Sequence, residues 1–252
     1  MKVYCYVNAG PQKTICDDRI LINNTIIASG FYSTELQNSR KASFAVADGV
    51  GGNKAGYYAA SQVAFALSEA NLPDSLSVQA IEQLILGANQ KLIDEASTAR
   101  NLERMATTLS GICWDGTNWF LYHVGNTRIY QWAFGALNQI TEDHTWVREM
   151  QLKGFNEQEL QGSINKNQIT ACVGGGDSKW IKKLYITDIT SAISNSQRIL
   201  ITSDGFHEFI EPSILEASME RIPDYQEYCI QAAQFARKNG SQDDISIVLI
   251  DI

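Results

Sequence analysis

A chain of 252 residues that is 44% hydrophobic, has only four prolines and carries no low-complexity tract can bury a large core, and nothing in it reads as an interdomain linker. Its formal charge of -8 has no compensating basic run, which excludes nucleic acid as the expected partner. The five cysteines, Cys5, Cys16, Cys113, Cys172 and Cys229, are scattered without a Cys-x-x-Cys pair, so they read as buried free thiols in a reducing compartment rather than a zinc site.

We therefore expect one domain over residues 1–252. The N-terminus is too short and aromatic for a signal peptide and no window reaches membrane-spanning length, so the expected setting is cytoplasmic, away from any membrane.

In chain order, Val3 to Val7 is β-rich and Asn8-Ala-Gly-Pro11 breaks it before a second strand near Ile20 to Ile27. Between them stands Lys13-Thr-Ile-Cys-Asp17-Asp18, which taken alone reads as a solvated turn. The organising stretch is Phe44-Ala-Val-Ala-Asp48-Gly49-Val50-Gly51-Gly52. A strand buried on both faces delivers a carboxylate to its rim, and the glycines after it let backbone approach an ion or a phosphate closely.

Helical spacing follows at Ala59, Ala60, Val63, Ala64 and Leu67, and again at Val78, Ile81, Leu84, Ile85, Ala88, Leu92 and Ile93, with Pro73-Asp74-Ser75 as the start signal of the second helix. From Ala106 to Trp132 the pattern turns to strands, and Asp115-Gly116 marks a hairpin, hence an antiparallel rather than a doubly wound parallel sheet. Thr141-Glu-Asp-His144 reads as a helix start with Trp146, Val147 and Met150 on the apolar side. His144 reads as structural and stays outside the site.

Leu152 to Lys183, polar and broken by Gly174-Gly-Gly176, is expected to form a mobile segment over the site. A strand near Leu184 to Ile186, a strand ending at Asp204, a helix from Tyr225 to Arg237 and a last strand from Ile245, preceded by Asp243, complete the chain. Three aspartates at strand ends, Asp48, Asp204 and Asp243, suggest a shared site for hard divalent cations, which prefer oxygen ligands.

Five stretches in this order resemble the metal-dependent serine/threonine protein phosphatases of the PPM (PP2C) type. They are Phe44–Gly52, Thr107-Thr-Leu109, Val124-Gly-Asn-Thr-Arg128, Ile199-Leu-Ile-Thr-Ser-Asp-Gly205 and Gln242-Asp-Asp-Ile-Ser-Ile-Val248. The resemblance spans Lys13 to Val248 and matches the compact bacterial form. It implies an α+β fold, a four-layer α-β-β-α sandwich of two antiparallel sheets flanked by helices. It also implies two Mn²⁺ or Mg²⁺ ions, with Asp48 bridging both, the Gly49 carbonyl on one, and Asp204 and Asp243 on the other.

By the same resemblance Asp17 stands where a ligating Glu is usual, and Asp18 where an Asp acts through water. Lys13 stands where an Arg grips the phosphate, keeping the charge without the bidentate fork. Asn126 stands where an acid serves a third ion, which an uncharged amide oxygen would hold more weakly, and Asp244 replaces an Asn. The implied activity is hydrolysis of phosphoserine and phosphothreonine on a phosphorylated protein substrate by a metal-activated water, opposing a cognate Ser/Thr kinase. The alternatives are a catalytically weak phosphoprotein-binding or regulatory pseudophosphatase, for which Lys13 and Asn126 are the motive, and a phosphoesterase acting on small molecules.

Overall fold

The computed structural model describes residues 1–37, 41–50, 55–70, 77–99, 102–160, 162–163, 165, 168–222 and 224–252. Two antiparallel six-stranded sheets form its centre. The first runs β11 (Ala136–Gln139), β10 (Arg128–Ala133), β14 (Arg198–Thr202), β15 (Ile245–Asp251), β1 (Lys2–Asn8), β4 (Gly30–Glu35). The second runs β13 (Tyr185–Asp188), β9 (Trp119–Val124), β8 (Leu109–Trp114), β5 (Ala42–Ala47), β2 (Arg19–Ile22), β3 (Thr25–Ile27). A small ribbon of β12 (Val173–Gly174), β7 (Ala106–Thr107) and β6 (Gly49–Val50) stands beside them.

Alternation along each central strand decides the layering. In β5, Ala42, Phe44 and Val46 face a core shared with Val3, Cys5, Ile129, Ile201 and Val248 of the first sheet, while Ala45 and Ala47 face the other way. That second face packs on Ala59, Val63 and Leu67 of α1 (Ala55–Glu69) and on Ile81, Ile85 and Leu92 of α2 (Val78–Thr98). In β15, Val248 and Ile250 point between the sheets, whereas Ile245, Ile247 and Leu249 meet Leu215 of α6 (Pro212–Arg221) and Cys229 and Ala233 of α7 (Tyr225–Lys238). Three apolar interfaces thus make four layers, helices outside and sheets inside, and each fully buried large side chain contributes about 1.5–3 kcal/mol.

Antiparallel register brings several strand ends to one edge. Arg19 pairs with Ala47, Arg128 with Thr202, and Thr202 with Ile247. Asp18 and Asp48 therefore leave the second sheet side by side, and Asp204 and Asp243 flank β14 and β15 of the first sheet at the same edge.

Several expected elements shift. The strand expected over Ile20 to Ile27 is a hairpin, β2 and β3, turned at Asn23 with φ 52°. The helix expected to start at Thr141 starts later, as α3 (Trp146–Leu152), capped by Thr145, whose hydroxyl accepts from Arg148 N–H at 3.3 Å. No α3 residue is fully buried, so Trp146, Val147 and Met150 are not a core face. The start signal at Pro73-Asp74-Ser75 lies outside the described residues, and Ser77 caps α2 by accepting from Ala80 N–H at 3.1 Å. Gly51 and Gly52 also lie outside them.

The Leu152 to Lys183 stretch carries α4 (Glu157–Leu160), β12 and a 3-10 turn, Ser178–Ile181. Ala171, Val173 and Ile181 sit in the core under α2. All five cysteines are free and buried. No described helix is long and apolar enough to cross a membrane.

Candidate functional site

Asp48 leaves β5 with its backbone clamped from the neighbouring strand. Thr108 N–H and the Thr107 hydroxyl both donate to Asp48 O at 2.9 Å, and Asp48 N–H donates to Thr108 Oγ1 at 3.2 Å. The next residue must be glycine. A Cβ on Gly49 would stand 2.3 Å from Gly56 O at the start of α1 and 2.7 Å from Asp17 O, so the glycine lets three backbones meet beside the carboxylate.

From the facing sheet, Asp204 opens a short helix, α5 (Asp204–His207). The buried Asn126, in the turn between β9 and β10, donates from Nδ2 to Asp204 Oδ2 at 2.9 Å. Its own Oδ1 is buried without a partner. Asp18 is fully buried, accepts from the Ser246 hydroxyl at 2.7 Å through Oδ2, and has Oδ1 unpartnered.

Asp243 is half exposed, and its side chain accepts from Lys13 Nζ at 2.8 Å. Lys13 also reaches Asp244 Oδ2 at 3.1 Å and Asp17 Oδ2 at 3.3 Å.

Lys13, Asp17, Asp48, Gly49, Asn126, Asp204 and Asp243 all line one open cavity of about 590 Å³, together with Gln168, Ile169, Glu208 and Phe209. Of the acids singled out in the sequence, Asp18 and Asp244 are not in the lining. His144 stays outside it: its ring stacks on His123 at 4.8 Å and its Nδ1 accepts from Gly125 N–H at 3.1 Å.

The charges are unfavourable without counter-ions. Burial pushes the Asp48 carboxyl well above the ordinary range, and the charges of Asp18, Asp204 and Asp243 push it further. Asp204 is raised by burial and then by Asp243, against the Asn126 hydrogen bond, and Asp18 by burial and then by Asp244. Burial alone would lower the Lys13 ammonium, yet hydrogen bonds and attraction from Asp243 and then Asp244 leave it more basic than an ordinary lysine.

Among the described residues, no group of three or more His, Cys, Asp and Glu side chains is arranged to hold a metal ion by itself. What the cavity offers is a set of mutually repelling carboxylates, the backbone at Gly49 and one orphaned buried oxygen, Asn126 Oδ1; a second orphaned buried oxygen, Asp18 Oδ1, stands outside the lining. All are hard oxygen donors on an open site, which fits Mg²⁺-like cations that keep several waters and does not fit a soft metal.

Two supports were not evident from sequence. Arg237, in the last turn of α7, donates from Nη2 to Asn8 O at 3.2 Å and Ala9 O at 3.0 Å. From Nη1 it donates to Ser241 O at 3.2 Å and to Asp243 O, tying the loop after β1 to the loop before β15. Asp244, 2% exposed, accepts from Gly10 N–H at 2.8 Å and Asp17 N–H at 2.6 Å. The sequence signals were a charged residue at an element's end and, for Asp244, its standing where the resemblance has an Asn.

A family model described as protein phosphatase 2C matches residues 28–249. Serine/threonine protein phosphatase PstP of Mycobacterium tuberculosis is 27% identical over 212 residues, 82% of this chain, and the match spans only 40% of that protein's length. Serine/threonine phosphatase stp of Listeria monocytogenes is 24% identical over 213 residues, 82% of each chain. A crystal structure of the PstP catalytic domain in complex with two manganese ions superposes with a TM-score of 0.74 at 22% identity, covering 100% of this chain and 99% of that one.

Proposed function

The chain belongs to the protein phosphatase 2C family, and from that premise we propose that it hydrolyses phosphoserine and phosphothreonine esters on proteins, opposing a serine/threonine kinase. The observation that carries the reading is the convergence of Asp17, Asp48, Asp204 and Asp243 with a lysine on one open cavity. Acids gathered in this way do not serve to stabilise the fold, because Asp204 and Asp243 raise the cost of ionising the buried Asp48, and Asp243 raises that of Asp204.

The residues that would hold two Mn²⁺ or Mg²⁺ ions are Asp48, the Gly49 carbonyl, Asp204 and Asp243, with Asp17 as a further ligand, Asp18 acting through water, and Asn126 Oδ1 as the uncharged donor of a weaker third site. Such ions, when bound, supply Lewis acidity toward phosphoryl oxygens and bring a water's pKa near neutrality. The chain's own groups do the rest. The Thr107 and Thr108 clamp fixes the Asp48 backbone, and the Asn126 amide sets the orientation of Asp204. Lys13 brings a positive charge to the mouth for the phosphoryl oxygens, as a point charge rather than a planar fork.

The open cavity suits an ester presented on a protein side chain better than an enclosed small molecule. Purified protein with Mn²⁺ is expected to cleave a phenyl phosphate ester and a phosphothreonine peptide, and Asp204→Asn is expected to lose both activities. Hydrolysis undiminished by a chelator would sink the reading.

A further inference from the structure

We infer that Lys13 is a tethered internal counter-ion, whose ammonium competes with divalent cations for the Asp17 and Asp243 side of the cavity. The inference rests on the reading above only in taking those two carboxylates as ion ligands.

Lys13 Nζ has three donors and meets three carboxylates, at 2.8 Å for Asp243 Oδ1, 3.1 Å for Asp244 Oδ2 and 3.3 Å for Asp17 Oδ2. These three contacts differ in kind. Asp17 and Asp243 line the cavity, whereas Asp244 does not. Asp244 is 2% exposed and fixed at both oxygens, Oδ1 by Gly10 N–H at 2.8 Å and Oδ2 by Asp17 N–H at 2.6 Å.

The lysine's own backbone is pinned too, its N–H donating to Gly10 O at 2.9 Å. A buried, immobile carboxylate thus anchors the ammonium, while its other two contacts occupy oxygens that face the cavity.

Lys13 and Asp244 are also the two positions where an Arg and an Asn are usual by resemblance, and here they touch, so the two departures act as one feature. A neutral amide at position 244 would offer one oxygen to two backbone N–H groups that Asp244 accepts through two, and would give a lysine no charge to rest against. The pair stores a unit of positive charge inside the acidic cluster. A divalent ion arriving at Asp17 or Asp243 must either displace that charge or bind beside it, and both cost affinity. Displacement has a second effect, since it frees the ammonium toward the mouth, where a phosphoryl group would be.

Isothermal titration of Mn²⁺ into the full chain, without substrate, tests this with Lys13→Met and Lys13→Arg. We expect Lys13→Met to bind Mn²⁺ at least tenfold more tightly at one site and to show a larger Mn²⁺-induced rise in melting temperature. Lys13→Arg, which keeps the charge, should stay within about threefold of the parent. If Lys13→Met does not fold, Lys13→Gln carries the same expectation. Equal or weaker Mn²⁺ binding by the neutral variants, with the parent still binding, overturns the competition and leaves the phosphatase reading standing. No Mn²⁺ binding by any of them overturns both.

Discussion

Gly205→Ala probes how the facing sheet holds its half of the site. An added Cβ would lie 2.0 Å from Asp244 O and 3.1 Å from Asp243 Cβ. The nearer of these is backbone, and the surroundings are tied. The Ser241 hydroxyl donates to Gly205 O at 2.6 Å, and Ser203 N–H donates to Ser246 O at 3.1 Å. No rotamer change can relieve the contact, so α5 and the Asp243–Asp244 segment must separate by roughly 1 Å or more to restore ordinary carbon–oxygen spacing.

Overpacking of this kind costs about 1–3 kcal/mol, and with only backbone to move the upper end applies. At about 2–4 °C per kcal/mol for a chain of this size, ~3 kcal/mol lowers the melting temperature by roughly 6–12 °C. Because the displaced residue is Asp243, Mn²⁺ affinity should fall about tenfold, roughly 1.4 kcal/mol. Thermal melts followed by circular dichroism, paired with Mn²⁺ titration, read both quantities. Gly87→Ala, in the middle of α2 with open space around its would-be Cβ, is the control and should be neutral or stabilising by up to about 1 kcal/mol. A Gly205→Ala protein that melts within about 1 °C of the parent and binds Mn²⁺ equally well would refute the close-approach argument.

Two further outcomes follow from the supports and charges of the site. Arg237→Gln should lower stability by about 2 kcal/mol and weaken Mn²⁺ binding, since it strips charged donors from carbonyls of Asn8, Ala9, Ser241 and Asp243. Lysine at that position should not restore either, lacking the fork that spans two loops, and a Lys variant indistinguishable from the parent in urea melts would contradict this. The raised carboxyls of Asp18, Asp48 and Asp204 set a pH dependence: folded values above the ordinary 3.8 mean that the stability they confer is present below about pH 4 and is lost as pH rises through the folded values. Cations take the place of those protons, so the Mn²⁺-induced rise in melting temperature should grow between pH 5 and 7.5. The three histidines, whose values are lowered, drift in the opposite sense with or without Mn²⁺, and that drift cancels in the difference. A flat difference across that range would contradict the charge argument.

The sequence was most legible where side-chain pattern and layer coincide. The continuous apolar run at Phe44–Ala47 read as a strand covered on both faces, the stretch from Ile245 read as a last strand, and the Asp115-Gly116 turn exposed the antiparallel pairing. Three strand-end aspartates read as one site because register is a property of strands, and each could be placed at a rim without knowing the partner strand. What escaped is long-range and polar. Arg237 touches residues 228 and 229 positions away, and nothing local in α7 marks it. Asp244 stood out only as replacing an Asn, yet it joins Gly10, Lys13 and Asp17 across more than 200 residues. The helix expected at Thr141 slid to Trp146 because the Thr145 hydroxyl caps it, while Thr141 caps nothing and instead accepts from Ile129 N–H at 3.1 Å.

The placement of the acids explains why this edge of the sandwich is the one we propose to be functional. Asp17, Asp18 and Asp48 flank strands of the second sheet, Asp204 and Asp243 flank strands of the first, and Asn126 sits in the turn that passes from one sheet to the other. Like charges on facing sheets push that end of the sandwich apart, while Val7, Ile20, Val46, Ile129, Ile201 and Val248 between the same strands pull it together. The apolar core is what lets the carboxylates approach at all, and the tethered ammonium of Lys13 offsets one charge of their repulsion, joining Asp17 from one sheet to Asp243 and Asp244 from the other. A cation held in the cavity would act on the same two layers, so affinity for it and closure of the sandwich edge are one equilibrium. Substitutions in the inter-sheet core below the site should therefore alter Mn²⁺ binding without touching a ligand, in proportion to how far they let the two edges separate.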